Sequence, residues 1–249
     1  MDKNAKQRGK THIGTSGWHY HHWKGPFYPR GYPDSRLLSY YIKHFHTAEI
    51  NNTFYRLPSE KAVREWRDAV PAGFIFAVKG SRYISHQKKL KDPEQILPNF
   101  TDRIRLLGDK MGPILFQLPP GWHSNLERLG AFLHALPGNV LCAFEFRDPS
   151  WFGNRTEEML SKRGAAFCIY DFEGRQSPRS VTADFVYIRL HGPDGAYSGR
   201  YDREQLADWA EFIGQCTEEG KDVYCYFDND EAGYAALNAS ELQELVKTG

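Results

Sequence analysis

Glu49, Asn51, Lys79, Gln117, Glu145, Arg147, Arg189, His191 and Asp228 each sit at or near the end of a short apolar run, at positions that alternate with apolar neighbours. Asp171 falls at the end of another such run. These residue types suit acid–base and anion-binding chemistry. Glu145, with Glu49 second, can take or give a proton, and His191 can relay one near neutral pH. Arg147, Arg189 and Lys79 can hold an anionic substrate, with Asn51, Gln117 and Asp228 as further polar contacts. The alternation is strict: Phe144 and Phe146 interleave with Glu145 and Arg147, Ile188 and Leu190 with Arg189 and His191, and Cys225 and Phe227 with Tyr226 and Asp228. A period of two belongs to a β-strand, whose successive side chains point to opposite faces. Charges scattered over a surface would not select one parity in run after run. The competing reading is a structural ion-pair network, because buried charges occur paired.

The runs that would carry these residues are 12–16, 48–51, 74–79, 114–118, 141–147, 166–171, 185–191 and 223–228. Between them lie stripes of helical period. Leu37, Leu38, Tyr41, Ile42 and Phe45 form one, and Val63 with Trp66, opened by Ser59 as N-cap, form another. Leu126, Leu129, Phe132, Leu133 and Leu136 form a third, and Leu206, Trp209, Ala210 and Ile213 a fourth, with Gly214 and Gly220 as stops; Leu237, Leu242 and Leu245 mark the last. Strand–helix alternation from end to end predicts a parallel sheet covered by helices, and at this length an α/β fold of the single TIM-type (β/α)8 barrel class. The organisation expected is a polar tail over 1–10 and one barrel domain over 11–249. Barrel enzymes place their sites at the C-terminal ends of the strands, where the polar faces would converge. Three irregular stretches, 82–92, 174–182 and 192–200, each follow a strand. The glycines of 192–200 beside Arg189 predict an anion site there, unless Arg189 pairs with Glu145 or Asp228 instead. Trp18, Tyr55, Trp151 and Tyr197 in adjoining loops would supply stacking surface.

Of 249 residues, 32 are Lys or Arg and 31 are Asp or Glu, so overall charge does not call for a polyanionic partner. The four cysteines form no C-x-x-C pair and no zinc spacing with histidine, and three lie in strand-like runs, as buried reduced thiols would. The first ten residues are polar and basic, unlike a secretory signal, and no apolar run approaches the roughly 20 residues that span a bilayer. A cytoplasmic protein without membrane contact is expected. No G-x-G-x-x-G follows the first run, so dinucleotide binding lacks its signature.

Ordered motifs extend this reading. They are Gly14-Thr15-Ser16-Gly17-Trp18, Trp23 with Gly25 and Phe27-Tyr28-Pro29, Glu49-Ile50-Asn51, Thr53-Phe54-Tyr55, Phe116-Gln117-Leu118-Pro119-Pro120, Phe144-Glu145-Phe146-Arg147 with Ser150-Trp151, Arg189, His191-Gly192, Tyr226-Phe227 and Asn229-Asp230. In these the chain resembles the YecE-like family, domain of unknown function 72, over nearly its whole length. The resemblance implies a TIM barrel, adds Asn229 to the binding set, and supplies no reaction. Two positions depart from the family pattern: Asp148 stands where His is frequent, and Asp228 where Asn is common.

Three chemistries compete for the site. Glu145, Asp171, His191 and Asp228 offer metal ligands, but Lys79, Arg147 and Arg189 already supply the positive charge that a metal would bring, so neither metal nor cofactor is expected. His19, His21 and His22 read as a solvated loop in the absence of a companion ligand. A glycosidase would need two carboxylates flanking one bond, yet the strands that often bear them end here in Gln117 and in Arg189 with His191. The reading preferred is a metal-independent acid–base enzyme whose partner is a small anionic molecule, phosphorylated or polyhydroxylated, or a nucleotide. A metal-dependent hydrolase is a further alternative; the first alternative is a non-catalytic module for single-stranded nucleic acid or nucleotides. Its signal is the basic run of Lys79, Arg82, His86, Lys88, Lys89 and Lys91 beside Tyr83.

Overall fold

In a computed structural model of the chain, the described residues are 7–248. In chain order the elements are β1 (Thr11–Thr15), α1 (Leu37–Tyr41), β2 (Thr47–Ile50), α2 (Asn52–Tyr55), α3 (Glu60–Asp68), β3 (Ile75–Lys79), α4 (Pro93–Ile104), β4 (Met111–Gln117), α5 (Leu126–Ala135), β5 (Cys142–Glu145), α6 (Asn154–Arg163), β6 (Ala166–Phe172), β7 (Arg175–Gln176), β8 (Phe185–Leu190), α7 (Arg203–Glu218), β9 (Asp222–Phe227) and α8 (Tyr234–Thr248). The strand order is β1-β9-β8-β6-β5-β4-β3-β2, with β7 an antiparallel addition to β6. Parallel pairing with helical crossovers in this order is the (β/α)8 barrel class expected from the alternation.

By its contacts the chain divides into two compact units: one holds the residues up to Ala48, Ile169–Ser177 and the residues from Asp184 onward, the other Glu49–Cys168 and Pro178–Ala183. In the first unit β9 lies between β1 and β8, in register from Thr11↔Val223 to Thr15↔Phe227 on one side and from Phe185↔Asp222 to Leu190↔Phe227 on the other. Every residue of β8 is buried, as parallel strands covered on both faces require. Helix α7 opens with a reciprocal capping box between Asp202 and Gln205 and buries Leu206, Trp209 and Ile213. It runs on through Gly214 and stops before Gly220, whose positive φ of 81° ends the helical path. Gly192 has no substitute: a Cβ there, where φ is +117°, would lie 2.0 Å from the Ser198 carbonyl oxygen.

In the second unit β4 lies between β3 and β5, and the register Gln117↔Glu145 sets the two polar strand ends side by side. The alternate faces are apolar as expected. Phe116 and Phe144 meet Phe132 of α5 at ring distances of 4.9 and 6.0 Å, and Phe146 stacks on Trp151 at 5.0 Å. Ser59 caps α3 through the Ala62 amide, and Asn125 caps α5 through the Arg128 amide.

Some elements depart from the periodic pattern for identifiable reasons. Helix α4 has Pro93 at its start and Pro98 within it, which masks the period, and α6 buries only Thr156 and Leu160. The stripe at 37–45 yields a short α1, with Phe45 still packed on Tyr41 at 4.8 Å. The stretch 82–92 contains a π-helical turn over Tyr83–Gln87, and Lys89, Leu90 and Asp92 adopt positive φ. Of the tail read over 1–10, residues 1–6 lie outside the described residues. Arg8, Gly9 and Lys10 are held in place: Arg8 and Gly9 bond Thr217, and Lys10 bonds Asp222 and Val223.

Candidate functional site

The first unit gathers Ser16, Arg189, His191 and Asp228. Ser16 follows β1, Arg189 lies on β8, His191 follows that strand and Asp228 follows β9. Arg189 Nη2 donates to Asp228 Oδ2 at 2.9 Å and to Ser16 Oγ at 3.1 Å, while Nη1 reaches His191 Nε2 at 3.3 Å. His191 Nδ1 lies 3.1 Å from Asp228 Oδ2. Arginine nitrogens only donate, so this pattern makes Nε2 the acceptor and puts the imidazole proton on Nδ1, directed at Asp228. Arg189 and His191 are both 0 % exposed. A fully buried guanidinium demands a counter-charge, and Asp228 provides it. The edges of Phe172 and Tyr197 flank His191, each at 5.6 Å. The guanidinium expected to grip an outside anion thus makes an internal pair with Asp228, and a proton relay through His191 Nε2 requires Arg189 to withdraw first.

Around this cluster the chain is pinned by amides. Asn229 is fully buried and donates through Nδ2 to the Gly199 carbonyl at 2.8 Å and to Asn238 Oδ1 at 3.0 Å; its Oδ1 has no hydrogen-bond partner. Asn238 in turn bonds the Tyr201 amide and carbonyl, and the Tyr201 hydroxyl accepts from the Gly192 amide at 3.0 Å. The loop 192–200 is therefore tied at both ends. Tyr197 stands on it with φ of 62° and 42 % exposure, so a bulky residue holds the left-handed conformation beside the His191 ring. Trp18 is half-buried, and its carbonyl accepts from the Tyr28 hydroxyl. Burial, and then the charge of Asp228, raise the Asp230 carboxyl above the ordinary range; His22 opposes them.

The second unit holds Glu49, Asn51, Lys79, Gln117, Glu145 and Arg147 at the ends of β2 to β5. Glu145 is fully buried and its Oε1 accepts from Arg147 Nε, two residues on along the same face. A guanidinium on a buried carboxylate favours the ionised form. Lys79 is also buried, with Nζ 4.7 Å from the centroid of the Phe54 ring. The Thr53 hydroxyl donates to the Lys79 carbonyl at 2.6 Å, which fixes α2 to the end of β3. His86, on the π-helical turn, meets Phe54 edge-on at 5.1 Å and shares a 2.9 Å hydrogen bond through Nδ1 with Ser85 Oγ. Its pKa is pushed down to about 4, first by burial and then by the charges of Arg82 and Lys79, against the pull of Glu145. The surroundings of His86 are net positive although Glu145 is among them.

The remaining expected residues divide by exposure. Glu49 is fully buried, and Asn51 and Gln117 are half-buried; Gln117 Oε1 has no hydrogen-bond partner. Tyr55 is 79 % exposed at the end of α2. Trp151 is fully buried, stacked on Phe146, with its indole N–H given to the Trp122 carbonyl at 2.7 Å, so its ring packs the interior of this unit and offers no stacking surface. Two contributors lay outside the residues expected for the acid–base site, although His86 belongs to the basic run of the nucleic-acid alternative. Ser16 follows β1 and belongs to the Gly14–Trp18 motif. His86 sits on an irregular turn, where no parity rule applies. Among the described residues, the one group of three His, Cys, Asp or Glu side chains whose ligand atoms lie within 4.8 Å of one another is His19, His21 and Asp34. No helix of the described residues is long and apolar enough to cross a membrane.

Known proteins resemble this chain in sequence and in fold. The chain is 26 % identical to the UPF0759 protein YunF of Bacillus subtilis, over 94 % of each chain. It is 34 % identical to the UPF0759 protein YecE of Escherichia coli, over 51 % of this chain and 47 % of that one. The crystal structure of a DUF72 family protein from Thermotoga maritima superposes with a TM-score of 0.84 at 28 % identity, covering 96 % of this chain and 99 % of the other. The family model described as protein of unknown function DUF72 matches residues 12–249, and the chain belongs to that family.

Proposed function

We propose that this protein is a metal-independent acid–base enzyme acting on a small anionic substrate, phosphorylated or polyhydroxylated, with Glu145 as the proton-transferring group. The observation that carries the proposal is the fully buried Glu145 carboxylate, held by Arg147, with the cations Lys79 and Arg82 acting on the same His86 ring that Glu145 acts on. An anionic group arriving beside Lys79 and Arg147 would compete for the Arg147 guanidinium and free Glu145 Oε1 to accept a proton. Arg147 supplies the charge that a metal would otherwise bring to this carboxylate. In the first unit, the Asp228–His191–Arg189 cluster is a second store of oriented charge, and Tyr197 and Asn229 stand beside it as binding groups. Four buried free cysteines suit the reducing cytoplasm as the place of action.

The test is turnover of a panel of sugar phosphates, followed by phosphorus NMR, with the wild type and Glu145→Gln. The proposal expects a substrate whose conversion falls by about 100-fold or more in the variant, while inorganic phosphate still binds. Turnover unaffected by Glu145→Gln overturns it. A second reading, binding of single-stranded nucleic acid, draws on two cation–aromatic sets: Lys88 lies over Tyr83, and Lys89 and Arg128 lie over Trp122. Salt-sensitive binding of a single-stranded oligonucleotide without turnover would favour it.

A further inference from the structure

The loop after β1 carries His19, His21 and Asp34, and their ligand atoms lie within 4.8 Å of one another. Asp34 is the companion ligand that the histidine run lacks in sequence. His21 Nδ1 is 3.5 Å from Asp34 Oδ1. Two donors on one tetrahedral zinc ion, each at about 2.0–2.1 Å, stand roughly 3.3 Å apart, so this pair already has the required spacing. His19 and His21 come from a segment that is firmly held. The Tyr20 hydroxyl donates to the Ser16 carbonyl, the buried Trp23 indole donates to the Asp230 carbonyl, and the buried Tyr28 hydroxyl donates to the Trp18 carbonyl. The backbone that presents the imidazoles is thus anchored by three aromatic residues, two of them buried, while the imidazoles and the Asp34 carboxylate face solvent. Lys24 Nζ now occupies Asp34 Oδ1 at 2.6 Å. Lysine carries a flexible stem and can give way to a divalent ion.

The geometry points to a divalent-metal site of two imidazoles and one carboxylate, His19, His21 and Asp34, suited to zinc and completed by water. Mixed nitrogen and oxygen ligands of this kind select zinc and its first-row neighbours over magnesium or calcium. Lys24 is the built-in competitor for the carboxylate. This site is independent of the acid–base reading and uses none of its residues.

The experiment is titration of the chelator-treated, dialysed full chain with zinc chloride, read by calorimetry and by the melting temperature. One zinc should bind per chain. His21→Ala and Asp34→Asn should each weaken binding by at least about tenfold, and Lys24→Met should tighten it. The metal-free variants should melt with the metal-free wild type, which separates lost ligation from lost folding. Absence of binding up to about 100 µM zinc overturns the proposal. Zinc binding that survives Asp34→Asn and His21→Ala unchanged, or that is weakened by Lys24→Met, overturns it equally.

Discussion

Replacing Arg189 by methionine tests whether the buried charge cluster is tightly coupled. The substitution leaves a side chain of similar length but removes the donors to Asp228, Ser16 and His191, and strands the Asp228 carboxylate in an interior where Arg189 and His191 are fully buried. Removing one partner of a buried pair costs about 3–5 kcal/mol. Unfolding entropy near the melting point is about 2.1 cal/mol/K per residue. Over 249 residues this is about 0.5 kcal/mol/K, so the melting temperature should fall by about 6–10 °C. Calorimetry of the variant reads the shift directly. The paired variant Arg189→Met with Asp228→Leu should recover part of the loss, because no charge is then left uncompensated. A fall of less than about 2 °C for Arg189→Met alone would refute the tight coupling and would mean that water or chain movement solvates Asp228.

Other outcomes follow from the same geometry. His86 has its folded pKa depressed to about 4 from the 6.5 of an unfolded histidine, so it takes up a proton on unfolding anywhere between those values. Stability should therefore fall as pH drops from 6.5 towards 4, and His86→Gln should flatten that part of a melting-temperature profile. Asp230 is shifted the other way, so its ionisation opposes folding above the ordinary carboxylate range, and Asp230→Asn should raise stability at neutral pH. Gly192→Ala should destabilise by at least about 2 kcal/mol, seen in urea titration, because the new methyl would lie 2.0 Å from the Ser198 carbonyl oxygen. Burial pushes the Cys142 thiol up to about 12 and the Cys225 thiol higher still, and all four cysteines are buried, so a thiol reagent should label the native protein only after unfolding.

Much of this was legible from strand parity. The alternation Cys142, Phe144, Phe146 against Glu145 and Arg147 follows from the pleat alone, and the packing of Phe144 on Phe132 matches it. The same rule brought out Arg189, His191 and Asp228 as a set at the ends of β8 and β9. Parity does not say which charges satisfy one another. Arg147 turns to Glu145 and Arg189 to Asp228 because a buried guanidinium takes the nearest carboxylate, and that choice depends on side-chain torsions with no sequence signature. Trp151 read as an exposed ring because it lies beyond a strand end, whereas its indole closes over Phe146 and Trp122. His86 and Asp34 belong to a π-helical turn and a three-residue 3-10 turn, too short and irregular for a hydrophobic period to say where a side chain points.

The central claim is that the ends of β3 and β5 form an anion site serving Glu145. It is tested most directly by phosphate-dependent melting of the wild type, Glu145→Gln and Lys79→Met against chloride at matched ionic strength. A ligand at 100 times its dissociation constant stabilises by about 2.7 kcal/mol, or about 5 °C here. The account predicts such a rise for the wild type and Glu145→Gln and its loss in Lys79→Met; a wild type that melts identically in phosphate and chloride, or a rise that persists in Lys79→Met, would contradict it.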